Sequence, residues 1–140
     1  MSRMLRAVLD TNVLVSGLIT LGKPRELLSI ISRREATLVL SKEILNELSK
    51  VMRRDKFAEY AEEQQVERFI KDIESIAEII ELKSQIKVVE DPKDNIVIST
   101  AIEGEADIIV SGDHHLLSLK VFKGIKVLSV DEAVHMLKKT

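Results

Sequence analysis

The sequence predicts a three-layer α/β/α fold around a parallel five-stranded sheet, and two observations predict it. Five short runs rich in Val, Ile and Leu alternate with segments whose apolar residues recur at spacings of three and four. Strands separated throughout by helices indicate parallel pairing with right-handed crossovers. The composition agrees: 140 residues, 45% hydrophobic and 31% charged, with only five Gly and two Pro, describe long, well-formed elements. That length suits one domain over residues 1–140 and is short for two.

The first strand is 5–9, broken only by Arg6. It stops abruptly on Asp10, and the polar Thr11 and Asn12 follow before apolar residues resume as far as Gly17. Residues 23–33 read as a helix, with Pro24 in the first turn and Leu27, Leu28, Ile30 and Ile31 as its apolar face. The run 37–40 is the second strand. Ser41 then caps a helix over 42–52, where Ile44, Leu45, Leu48, Val51 and Met52 share a face. The charged stretch 53–60 is a hairpin tip or short helix, and 62–76 a full helix through Val66, Phe69, Ile70, Ile73 and Ile76. Residues 77–82 form the third strand, and 83–90 read equally as loop or edge strand. Asp91 and Pro92 punctuate a helix over 91–103. The fourth strand, 106–110, is closed by Ser111, Gly112 and Asp113, and a short helix passes through Leu116 and Leu117. The fifth strand is 125–130, and Ser129 with Glu132 makes a capping box for the closing helix.

The chain has no Cys, which removes disulfides and thiolate metal sites and fits a reducing compartment, so the cytoplasm is the expected location. No apolar run approaches the roughly 20 residues of a membrane span, and the amino terminus carries no cleavable signal pattern, so no membrane is expected. A net charge of −2 gives no bulk attraction for nucleic acid.

Four carboxylates stand out by placement. Asp10 ends the first strand, Asp113 follows the fourth, Asp94 lies in the first turn of the helix entering the fourth, and Glu47 lies on the helix after the second. In an open α/β sheet, ligands sit at the carboxyl ends of the strands, where the winding direction reverses. Clustered carboxylates repel one another unless a cation joins them, and all-oxygen ligands suit Mg²⁺ or Mn²⁺, which favour phosphate oxygens as further ligands. Each acid also has a plain structural account. Asp94 beneath an Asp91 cap opposes the helix dipole, Asp113 can be a turn or cap residue, Glu47 a solvated helix charge, and Asp10 a helix cap. The coincidence of all four carries more weight than any one. Asn12 and Ser111 are candidate donors that orient the carboxylates.

The order VLDTNVLVSG, SKEILNEL, DPKDN and IVSGDHHLL resembles the PIN domain family, and within it the VapC-like bacterial and archaeal members that are toxin components of toxin–antitoxin pairs. The likeness runs from Val8 to about Met136. It implies a parallel sheet of order 3-2-1-4-5, an acidic quartet of Asp10, Glu47, Asp94 and Asp113, and metal-dependent cleavage of RNA by one or two Mg²⁺ or Mn²⁺ ions. It also implies an RNA substrate, a cognate antitoxin as partner and assembly as a homodimer or higher homo-oligomer. The helices around Leu48 and Phe69 are the candidate contact faces. Where such proteins often read GDxDLL this chain reads GDHHLL, placing His115 where a second acid is usual. A His can still bind Mn²⁺ or hydrogen-bond a phosphate.

Cations that can grip RNA locally are Arg33, Arg34, Arg53, Arg54 and Lys56, each also readable as a solvated helix end. With one Tyr and three Phe, stacked-base recognition has few platforms. Rival enzymes of similar architecture lack their residues. A haloacid-dehalogenase-like phosphatase needs an Asp where Asn12 stands. A receiver domain needs a Lys after its last strand, where Ser129, Val130 and Asp131 stand instead, and no GxxxxGK[ST] occurs. The non-enzyme rival is a binding module that keeps the fold without the chemistry.

Overall fold

The computed structural model describes residues 4–54 and 62–139. In chain order these form β1 (Arg6–Leu9), α1 (Thr11–Ile19), α2 (Lys23–Ser32), β2 (Thr37–Ser41), α3 (Lys42–Met52), α4 (Glu63–Ile76), β3 (Ala77–Ile80), α5 (Pro92–Glu103), β4 (Ile108–Val110), α6 (His114–Leu117), β5 (Val121–Phe122), β6 (Ile125–Leu128) and α7 (Val130–Lys138). The sheet runs β3-β2-β1-β4-β6-β5. Its first five members are all parallel and reproduce the expected 3-2-1-4-5 order, with Ala7 opposite both Leu38 and Ile108.

The sheet has six strands rather than five. The short β5 pairs antiparallel with β6 at the edge. Lys123 and Gly124 join them with φ of 50° and 81°, the two left-handed residues that a tight hairpin turn requires. Two-residue strands around Lys-Gly leave little trace in a sequence. Successive residues of β1 and β4 (Ala7, Val8, Leu9; Ile108, Ile109, Val110) are all buried. Because neighbours in a strand point to opposite faces, the sheet is covered on both sides.

Helix α1 has no counterpart among the expected elements. Its β-branched Val13 and Val15, and Gly17 in its last turn, argue against a helix by propensity. Tertiary structure overrides that: Asp10 caps it by accepting the Val13 N–H at 3.0 Å, and a Cβ at Gly17 would collide with the Leu28 side chain of α2. Strand ends retreat from the expected bounds, to 80, 108 and 128, where pairing stops. Segment 83–90 is irregular; the N–H groups of Ile86, Val88 and Val89 are taken by the side chains of Ser99 and Asn95 on α5. Leu48 is fully buried in the core, so it cannot serve a partner; Phe69 is half-buried against the same core. Most of the charged stretch 53–60, with Lys56, lies outside the described residues.

Parallel pairing places the carboxyl ends of β1, β2 and β4 on one side of the molecule. The chain winds outward from β1 through β2 to β3 and then returns to β4 on the other side of β1. The crevice between β1 and β4 is therefore the point where the winding direction reverses.

Candidate functional site

Asp10 stands at that crevice. Its backbone N–H reaches the Val110 carbonyl at 3.1 Å, extending the β1–β4 pairing by one residue. One carboxylate oxygen caps α1 and the other accepts the Ser111 hydroxyl. Ser111, itself fully buried, also accepts the Asp113 N–H at 2.9 Å. A single hydroxyl thus ties two acids across the crevice. Asp113 in turn caps α6, accepting the N–H of His115 at 2.7 Å. The cap reading is correct for both residues, and it fixes their carboxylates at the crevice mouth.

Asp94 projects from the first turn of α5, one turn below the Asp91 cap, which accepts the Lys93 N–H at 2.9 Å. Asp10 and Asp94 are only 7% and 8% exposed. Burial raises the pKa of Asp10; the Ser111 and Val13 donors oppose this, and the charge of Asp113 adds to it. Asp94 is pushed up to about 6, first by burial and then by the charges of Asp113, Asp91 and Asp10, with His115 pulling the other way. Buried carboxylates that raise one another's proton affinity are a donor set that a hard divalent cation relieves. Among the described residues no three acidic or histidine side chains stand in a closed ligand arrangement. Asp10 and Asp113 each have a carboxylate oxygen engaged in a helix cap.

These acids line a cleft of about 440 Å³ together with residues of α3 and α5 and with Thr11 and Asn12. On the far wall Glu47 is held by Lys93 Nζ at 3.1 Å and Arg54 Nη2 at 3.8 Å. Of the residues singled out in the sequence, Asp10, Asn12, Glu47, Arg54, Asp91, Asp94 and Asp113 line this cleft. Asn12 assists Asp10 through its backbone N–H. His115 supports Asp113 through its backbone, and its side chain is exposed near Asp94.

Three expected cations do not join. Arg33 and Arg34 follow α2 and precede β2, at the amino end of the sheet, and Arg33 pairs with Glu35 at 2.6 Å. Arg53 turns to Glu63 at 2.8 Å. The fourth, Lys56, lies outside the described residues. Lys93, Lys50, Asn46 and Glu43 line the cleft unforeseen. For Glu43 and Lys50 the spacing with Glu47 on α3 (43, 47, 50) was the available signal, since residues three and four apart share a helix face.

The profile of the PIN domain family matches residues 6–115 of this sequence. The chain belongs to the PIN domain family. This PIN protein is 31% identical over 118 residues to the uncharacterized protein MJ1680 of Methanocaldococcus jannaschii, spanning 83% of the chain and 76% of that relative. In fold it is similar to VapBC2 from Rickettsia felis, solved bound to a DNA fragment from their promoter, with TM-score 0.64 and 16% identity over 89% of this chain and 98% of that one. PAE2754 from Pyrobaculum aerophilum shares the fold with TM-score 0.69 and 15% identity, over 97% of this chain and 91% of that one.

Proposed function

We propose that this PIN protein is a metal-dependent endoribonuclease that hydrolyses RNA phosphodiester bonds, and that it is the toxin of a toxin–antitoxin pair. PIN domains are generally nucleases. The observation that carries the reading is the placement of Asp10, Asp94 and Asp113 at the β1–β4 crevice, two of them buried and with raised proton affinity.

Asp10, Asp94 and Asp113 would hold Mg²⁺ or Mn²⁺, one or two ions, and Glu47 would complete the quartet from the opposite wall. The ions supply a lowered water pKa and charge neutralisation at the phosphoryl oxygens. The protein's own part is positioning. The α1 and α6 caps and the Ser111 hydroxyl fix Asp10 and Asp113, and rigid α5 presents Asp94. Glu47 orients the attacking water, and water attack leaves 5′-phosphate ends. Exposed Asn12 lines the same cleft as the acids, and in this reading an extended strand crosses them without stacked-base contacts.

A cognate antitoxin is the protein partner in this reading, and homo-oligomer formation accompanies it. A cytoplasmic location fits the cysteine-free composition, and among the described residues no helix is long and apolar enough to cross a membrane. Incubating single-stranded RNA with the protein in Mn²⁺, in Mg²⁺ and in chelator tests the enzyme. Internal cleavage that chelator stops, with 5′-phosphate products, is the expected result. Binding without cleavage in either metal would make it a binding module. Growth arrest on expression, relieved by the product of the adjoining reading frame, tests the toxin assignment.

A further inference from the structure

The acids do not account for the other half of the cleft. Glu47, 23% exposed, sits between Lys93 of α5 and Arg54 at the end of α3, whose side chains are 61% and 58% exposed, and Lys50 lines the same wall. Ion pairs this open contribute little to stability, so the fold does not depend on them. Their effect is to hold two cations from two elements at the mouth of a cleft whose floor is acidic. A carboxylate gripped in this way marks an oxyanion site with an occupant already in it. Lys93 adjoins Asp94 in sequence, so one cation of the pair and one acid of the floor share the first turn of α5. A polyanion meets repulsion from Asp10, Asp91, Asp94 and Asp113 and gains nothing from a net charge of −2. Its grip has to come from cations at this mouth.

We propose that Lys93 and Arg54, with Lys50 beside them, form the subsite for the RNA phosphate next to the one lying over the acids, and that Glu47 is the resident anion this phosphate displaces. The inference rests on the RNA-cleaving reading above. Its consequence is linkage: the phosphate takes both cations, and the carboxylate of Glu47 is freed to face Asp10 and Asp94. Strand binding and completion of the acidic quartet then become one event. Until RNA arrives, Glu47 stays neutralised on the opposite wall.

The test measures binding of a fluorescein-labelled, unstructured 12-nucleotide RNA by anisotropy in EDTA, where no cleavage occurs, across a range of salt concentrations. Lys93→Gln with Arg54→Gln should weaken binding by about tenfold and make the dependence of log K on log salt shallower by about 0.7 or more. Glu47→Gln should bind tighter than native, because the cations are released. Glu43→Gln is the control: it removes a carboxylate from the same helix face and cleft, one whose Oε1 is buried with no hydrogen-bond partner. Equal tightening by the two Glu variants, or unchanged affinity and slope in the double variant, overturns the subsite. The nuclease reading is separately exposed. A native protein that cuts RNA in Mn²⁺ while the double variant binds as native keeps the enzyme and removes the subsite. The expected binding shifts without any native cleavage keep the subsite and remove the enzyme.

Discussion

The two ends of one sheet hold their charges in opposite ways. At the amino end Arg6, opening β1, reaches past β2 to both carboxylate oxygens of Glu78 on β3 and also donates to the Gly104 carbonyl at 2.8 Å. The Asp107 carboxylate accepts the Arg6 N–H at 2.8 Å. Pairing raises the pKa of Arg6 and lowers that of Glu78. At the carboxyl end the acids line one cleft, and burial, with the charges of neighbouring acids, drives Asp10 and Asp94 upward. One end spends its charges on tying strands and turns together. The other leaves a repulsion standing that a ligand can resolve, and this contrast separates the structural pole from the chemical one.

Four substitutions sharpen or break that contrast. The largest effect is expected from Asp10→Asn. Asn caps a helix as well as Asp does, so α1 and the circular dichroism spectrum should persist. Metal-dependent cleavage should fall by more than the roughly 100-fold that loss of a ligand's hydrogen-bond partner costs. Undiminished cleavage would remove Asp10 from the mechanism. Ser111→Ala comes next. It deletes the hydroxyl shared by Asp10 and Asp113 and should cost about 10–100-fold in metal affinity or activity; titration of both variants with Mn²⁺ under identical conditions ranks them.

Arg6→Ala attacks the opposite pole. It should lower unfolding free energy by about 1–3 kcal/mol in urea melts while activity per folded molecule stays at the native level. An activity loss there would erase the division between the poles. The smallest effect is on the pH dependence of stability. Asp94 keeps its proton up to about pH 6 when folded but only to about pH 4 when unfolded. Between these values the folded chain binds more protons, so the stability of the metal-free protein falls as pH rises through this window and levels off above it. Asp94→Asn removes the Asp94 share of that fall, leaving the smaller part due to the raised pKa of Asp10.

The fold was legible where local chemistry and tertiary packing agree. Pro92 beneath Asp91, and Ser129 with Glu132, mark helix starts that the structure keeps at those residues. Helix α1 was illegible because its Val-rich sequence opposes the helix that packing against α2 imposes. The acids of the floor could be read because strand-end and helix-start positions fix where a short Asp side chain lies. Lys93 could not, since a long side chain on an exposed helix position takes its direction from partners that sequence does not reveal. Arg33 and Arg34 were legible in principle: residues just before a strand lie at its amino end, away from the crevice.

Calorimetric titration of Mn²⁺ into the metal-free protein at pH 7 and pH 5, with Asp94→Asn at pH 7 beside it, tests the central claim most directly. The account predicts saturable binding at pH 7, about tenfold weaker binding at pH 5 as the proton on Asp94 competes, and loss of binding in the variant. No binding at pH 7, or equal binding by Asp94→Asn, contradicts it.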